Sequence, residues 1–273
     1  MAAKWRTPTY TQLMACFDVL THHTGARTLI NLADLVWEAV TENDLRAKVR
    51  DLARRRRIVR RGRGQHATYA LGQADGPGQV IRLKKDKNAQ RWDGTWNVLT
   101  YDIPVSMNSL RQRLARVLHQ MGFACLSGSC WLSPYDWLDF LAEMFSRWRC
   151  GGVVSYMRSG EVVPLVGDAG AGPGTWWDLA DVRERYERVA DHCDKAPRGN
   201  RTPARRARAR ICIAAAQELA EVESDDPMLP PQLLPKTWPR PQALSRFEAL
   251  RKTIRREIGD AGATGPSSAR SRL

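Results

Sequence analysis

The chain has 273 residues, with 43 Lys+Arg against 29 Asp+Glu, a formal net charge of +14 and an isoelectric point near 10.0. At about 100–200 residues per domain this length predicts two domains or three small ones, and 43% hydrophobic with 26% charged residues excludes a disordered chain. The positive excess favours a polyanionic partner, nucleic acid ahead of a membrane surface; no apolar run reaches the roughly 18 residues of a membrane span, and the opening MAAKWRTPTYTQ lacks an apolar signal core, so a cytoplasmic location is expected.

The first folded stretch, residues 1–75, opens with Leu13, Cys16, Phe17 and Leu20 at helical spacing. Leu29, Leu32, Leu35 and Val36 mark a second helix. Thr41 is a good N-cap for a third, with Asp44 three residues on, where its carboxylate can reach back to the cap. That helix puts Leu45, Val49 and Leu52 on one apolar stripe, while Arg46, Arg50 and Arg54 recur every four residues beside it. Ile58-Val59-Arg60 and Ala67-Thr68-Tyr69-Ala70-Leu71 read as short strands joined by a flexible, basic Arg61-Gly62-Arg63-Gly64-Gln65-His66 tip. Three helices followed by a basic hairpin are the order of a winged helix-turn-helix. Residues 41–66 hold ten Lys/Arg and three Asp/Glu, +7 in this segment alone. A helix of this kind can enter the major groove, where Arg pairs with guanine and Asn with adenine. The expected DNA-contacting residues are Asn43, Arg46, Arg50 and Arg54 on the helix and Arg61, Arg63, Gln65 and His66 in the wing. The competing reading is a solvated helix whose arginines serve only solubility.

GQADGPGQ (72–79) reads as a polar linker. The middle stretch, residues 90–167, alternates strand and helix. Gly94 to Asp102 is a strand apolar on both faces, hence central. Leu110, Leu114, Val117, Leu118 and Met121 define an amphipathic helix ended by Gly122. Phe123 to Leu132 supplies strand residues with Gly128 as a turn. Trp137, Leu138, Leu141, Phe145 and Trp148 share a helix side, and Val153 to Met157 is a last strand. The order βαββαβ is the ferredoxin-like split unit. After GDAGAGPG (167–174), read as a linker, residues 174–258 have a helical pattern, and 259–273 are small and polar, expected as a disordered tail. The fold class is therefore α+β.

Specific runs resemble a known family. Trp92-Asp93-Gly94-Thr95-Trp96, the helix SLRQRLARVLHQMGF (109–123) and Ser129-Cys130-Trp131-Leu132-Ser133-Pro134 look like the central domain of the PaaX family, bacterial repressors of aromatic-acid catabolism. Trp177-Asp178-Leu179 with Tyr186, and the run DPMLPPQLLPKTWP (226–239), are similar to its C-terminal signature. The resemblance implies a winged-helix domain, a ferredoxin-like domain and a helical C-terminal effector domain, and an aryl-CoA or acyl-CoA effector, phenylacetyl-CoA in the type case. The ferredoxin-like domain is expected to dimerise the chain, which would present two wings and two recognition helices to an inverted repeat in double-stranded DNA. Residues 195–210 (KAPRGNRTPARRARAR) depart from the pattern with seven Lys/Arg and no acid. They read as a solvated loop between helices, with contact to DNA backbone as the alternative.

The middle domain also resembles the small CRISPR-associated adaptation endonuclease, whose signature Asp at the end of the first strand is matched by Tyr101-Asp102-Ile103-Pro104. Two such carboxylates across a dimer can hold Mg²⁺. The bland role is a cap for the next turn, and Val105 to Ser133 contains no acid, only basic Arg111, Arg113 and Arg116. No GxSxG motif is present, and the Gly-rich break lacks the Lys-Ser/Thr of a phosphate loop. His22-His23 lies near a helix end, a capping or solvent-exposed position. Cys16, Cys125, Cys130, Cys150, Cys193 and Cys212 contain no CxxC pair and read as buried free thiols. Trp96, Trp131, Trp137 and Trp148 belong to the middle core. Trp176, Trp177 and Trp238 are expected to pack together in the C-terminal domain, as core or as an aromatic wall for an effector. The expectation is a non-enzymatic DNA-binding repressor without metal or cofactor; the alternative is an adaptation-related metal-dependent nuclease or interaction protein.

Overall fold

The computed structural model describes residues 8–20, 24–38, 40–62, 68–71, 77–88, 91–148, 152–162 and 176–263. Helices and strands both contribute, in the α+β class. Contacts divide the chain into two compact units, one of Met1–Ala74, Glu184–Glu221 and Pro239–Leu273, the other of Asp75–Arg183 and Val222–Trp238.

The first unit starts with α1 (Tyr10–Leu20), the two-residue β1 (Thr24–Gly25), α2 (Ala26–Val36), α3 (Glu42–Arg54), β2 (Ile58–Arg61) and β3 (Thr68–Leu71). The strands form a small antiparallel sheet in the order β1-β3-β2, with Arg60 opposite Tyr69 and Arg61 opposite Thr68. Strand β1 was not visible in the sequence, because two residues carry no alternation to read. Leu13, Cys16, Leu32 and Val36 are fully buried, as the helical spacing of α1 and α2 predicts, while Leu35 is half-buried. Two helices of this unit also draw on the C-terminal half: α8 (Thr202–Asp225, here to residue 221) and α9 (Arg240–Ala263). They bury Ala209, Cys212, Ile213, Ala215 and Ile254, and α1 and α2 pack on α9.

Arginines on α8 and α9 close this packing. A helix leaves its last carbonyls without partners and with partial negative charge. Arg251 and Arg255 donate to the carbonyls of Asp18 and Val19 at the end of α1, at 3.2 and 2.8 Å. Arg206 and Arg210 donate to those of Leu35 and Val36 at the end of α2, at 3.1 and 3.0 Å. Arg208, 6% exposed, donates to the Pro197 and Gly199 carbonyls and pairs with Glu257. The solvated loop expected over 195–210 is thus corrected: from Thr202 onward it is helix. Arg205, Arg206 and Arg210 are held by acceptors far away in sequence, and Arg208 by Glu257 together with the nearby Pro197 and Gly199 carbonyls. Helix α9 continues to Ala263, past the Ile258 at which the sequence pattern ends.

The second unit holds α4 (Pro77–Asn88), β4 (Trp96–Asp102), α5 (Asn108–Gln120), β5 (Ala124–Ser127), β6 (Cys130–Ser133), α6 (Leu138–Trp148) and β7 (Val153–Ser159), followed by the start of α7 (Leu179–Asp194). Its sheet runs β5-β6-β4-β7, with every neighbouring pair antiparallel. Strand β4 is central, and its alternation serves two cores. Leu99 and Tyr101 face Leu114, Leu118, Met121 and Trp137 on the helical side. Trp96 and Val98 face Trp177, Leu229 and Leu233 on the other. Gly122 ends the turn after α5 at φ +84°, and a Cβ there would stand 2.6 Å from the Pro227 carbonyl oxygen, so only glycine fits.

Helix α4 replaces the end of the expected linker. Lys84 is fully buried, donating to the Asp226 and Ser224 carbonyls at 2.6 and 3.2 Å, and Asn88 donates to the Met228 and Leu229 carbonyls. With few apolar residues, α4 is held by these polar anchors, which explains why hydrophobic periodicity missed it. They grip the DPMLPP run, where the Asp226 carboxylate accepts the Met228 N–H at 2.7 Å and holds Met228 at φ +54°. Trp176 and Trp177 do not pack with Trp238: they join Trp92 and Trp96 against the sheet, with ring centroids 5.5–6.3 Å apart from Trp96. Leu138 is 47% exposed rather than core-facing, because it is the first residue of α6, where the helix has not yet turned onto the sheet.

Candidate nucleic-acid interface

The geometry of α3 begins with its caps. Thr41 Oγ1 accepts the Asp44 N–H at 3.1 Å while the Asp44 carboxylate takes the Thr41 hydroxyl at 2.6 Å and its N–H at 3.4 Å, a complete capping box. These hydrogen bonds, the Thr41 hydroxyl first, hold the Asp44 carboxyl below the usual carboxylate range. At the other end the Arg57 N–H reaches the Leu52 carbonyl and the Arg56 N–H that of Ala53, a Schellman closure. It requires Arg56 to sit at φ +55°, the left-handed region that glycine normally occupies. Leu45, Val49 and Leu52 are buried as the stripe predicts.

The opposite face is cationic and exposed. Asn43, Arg46, Arg50, Arg54 and Arg61 all lie at the surface. Glu42 pairs with Arg46 and Asp51 with Arg54 and Arg55, at 3.2 and 2.8 Å for the latter two. Such exposed pairs are weak and exchange readily for other anions. Asp51 also accepts the Tyr10 hydroxyl, which is the main reason its carboxyl lies below its ordinary range. Lys48 and Arg55 stand over the Tyr10 ring at 5.1 and 5.4 Å, tying α1 to α3.

Between α2, α3, β2 and β3 lies a cleft of about 310 Å³. Three of the predicted residues, Asn43, Arg46 and Arg50, line it together. Arg54 and Arg61 do not, and Arg63, Gln65 and His66 lie outside the described residues, as do His22 and His23. Arg60 and Tyr69 line the cleft and were not foreseen as site residues. The signal was present for Arg60: two residues beyond buried Ile58, strand alternation puts it on the face that meets α3.

Elsewhere the candidate chemistry is sparse. Asp102 is exposed at the end of β4, opposite Val153, and among the described residues no hydrogen bond or ion pair reaches its carboxylate, so the expected turn-capping role is not seen. No group of three or more His, Cys, Asp or Glu residues could hold a metal among the described residues. Cys16, Cys193 and Cys212 are buried, and burial pushes all three thiols up, Cys193 to about 11. Cys125 is exposed instead, on the edge strand β5, and Cys130 half-buried; Cys150 is outside the described residues. No described helix is long and apolar enough to cross a membrane.

Two known domains match this chain. Residues 89–171 match the PaaX protein central Cas2-like domain, and residues 177–260 the PaaX-like protein C-terminal domain. The chain belongs to the PaaX family. No curated protein matches it. Among solved structures, the uncharacterized protein Rv0674 from Mycobacterium tuberculosis is similar, with a TM-score of 0.58 at 20% identity, over 88% of this chain and 92% of that one. That likeness concerns fold. The DPMLPP run gripped by Lys84 and Asn88 lies inside the matched C-terminal PaaX domain, which gives this family segment a structural role here.

Proposed function

We propose that this PaaX-family chain is a DNA-binding transcriptional regulator, a repressor of aromatic-acid catabolism without catalytic activity of its own. The observation that carries the reading is α3: firmly capped at both ends, buried on one stripe, and presenting Asn43, Arg46, Arg50 and Arg54 outward beside the basic strand β2. The order α1-β1-α2-α3-β2-β3 supports a winged helix-turn-helix, with α3 in the major groove and Arg61, Arg63, Gln65 and His66 reaching backbone or minor groove from the wing. Strand order β5-β6-β4-β7 supports a ferredoxin-like domain, for which we propose a dimerising role that presents two α3 helices to an inverted repeat. An aryl-CoA or acyl-CoA released from catabolism is the proposed inducer, and the cytoplasm the proposed location.

Genome-wide mapping of bound DNA tests this. Enrichment of inverted repeats upstream of aromatic-acid or acyl-CoA catabolic genes, released by an aryl-CoA, is the expected result. Metal-dependent cleavage of DNA or RNA that disappears in Asp102→Asn would replace it with the nuclease reading.

A further inference from the structure

We infer that the cleft between α3 and the β2–β3 hairpin binds a small carboxylate with an apolar body, seated on the side chains proposed to face DNA. The ligand site stands on its own geometry; only the consequence for DNA rests on the regulator reading.

The floor is aliphatic and already desolvated: Leu29, Leu45 and Val49 line the cleft at 2–4% exposure. The rim is cationic, and its guanidiniums differ in occupancy. Arg46 is paired with Glu42, but among the described residues Arg50 and Arg60 have no acidic or carbonyl partner, although both line the same cleft. A guanidinium fork matches a carboxylate with two parallel hydrogen bonds, stronger than neutral ones and geometrically selective. Tyr69, opposite Arg60 in the sheet, adds a ring wall with a hydroxyl at its end.

Size narrows the class. A volume of about 310 Å³ stands at the small end of the roughly 300–1,000 Å³ of small-molecule sites. One ring or a short branched chain matches this volume, whereas most of a nucleotide-bearing thioester would lie outside it. Inorganic phosphate would leave the floor unused, and a neutral molecule would leave the guanidiniums unused. A ligand on Arg46, Arg50 and Arg60 occupies the donors that α3 and β2 would offer to DNA, so the two bind in competition.

Calorimetric titration of the full chain with benzoate, cyclohexanecarboxylate and 4-methylpentanoate tests the site. At least one should bind, and Arg50→Met and Arg60→Met should each weaken it about tenfold or more. Arg256→Met, at an exposed position of α9, should leave it unchanged, with thermal melting confirming that all variants fold. Absence of binding, benzamide binding as tightly as benzoate, acetate or inorganic phosphate binding as tightly as the larger acids, or unaffected arginine variants would each overturn the inference. A second arm measures a labelled duplex by anisotropy at constant ionic strength. Whichever of the three acids binds, but not acetate, should raise the apparent Kd. Carboxylate binding without displacement of bound duplex overturns the competition, whereas a chain that binds carboxylate and no duplex at all refutes the regulator reading and leaves the site standing.

Discussion

Residues 54–61 and 198–210 each carry six arginines and no acid, yet the fold uses them in opposite ways. In the first segment all six are exposed. In the second, Arg205, Arg206, Arg208 and Arg210 are partly or fully buried, and each donates to a main-chain carbonyl or a carboxylate. The difference lies in acceptors. Arg206 and Arg210 lie where the open carbonyl end of α2 comes within reach, whereas residues 54–61 follow a helix end that closes its own carbonyls through the Arg56 and Arg57 N–H groups. An arginine run thus becomes a scaffold where it meets helix C-termini and remains available to an outside polyanion where it does not.

The contrast is sharpest in stability. Arg208→Met leaves the Glu257 carboxylate, 15% exposed, with only Arg205 at 3.7 Å and deprives the Pro197 and Gly199 carbonyls of their donor, so unfolding free energy in urea should fall by about 2 kcal/mol. Arg57→Met, at an exposed position, should stay within about 0.5 kcal/mol of the parent. Equal losses would erase the distinction.

Next comes DNA affinity. Arg50→Ala should cost about 1–3 kcal/mol on a specific site and less on random duplex, with stability unchanged. Arg210→Ala should do the reverse, lowering stability by about 1–2 kcal/mol while the folded protein binds DNA as before. Anisotropy and urea titration on both variants check the pair.

A smaller effect concerns the backbone. Arg56 holds φ +55° in the Schellman closure, so Arg56→Gly should raise stability by about 1 kcal/mol through relief of left-handed strain. A loss would mean that the Arg56 side chain, not the closure, holds that end of α3.

The mildest is pH. Asp44 and Asp51 titrate below their ordinary range in the folded chain, held by Thr41 and Tyr10 respectively. A lowered folded value means that their stabilisation is fully present above the unfolded value of about 3.9 and fades as pH falls through the folded values. Amide exchange in the first turn of α3 should quicken over that acid window, and Asp44→Asn should remove this pH dependence.

Local chemistry made α3 readable from residues alone. Its cap spans four residues, its stripe repeats with the helix, and the strand alternation after it needs only neighbours. For the same reason the alternating strands and helices of residues 94–157 were legible in order, and the family runs at 92–96, 129–134 and 226–239 could be recognised. What depended on distant partners was not. Lys84 and Asn88 make α4 a helix through carbonyls about 140 residues away. Arg206 and Arg210 of α8 find theirs more than 170 residues back, and Trp176 and Trp177 choose Trp96 over Trp238. The cleft formed by Arg50, Arg60 and Tyr69 likewise exists only once helix and hairpin meet. Sequence determined the local elements and the charge, because caps and periodicity act over a few residues; tertiary structure decided which cations are spent on carbonyls and which stay free, because that depends on acceptors brought together from separate stretches of the chain.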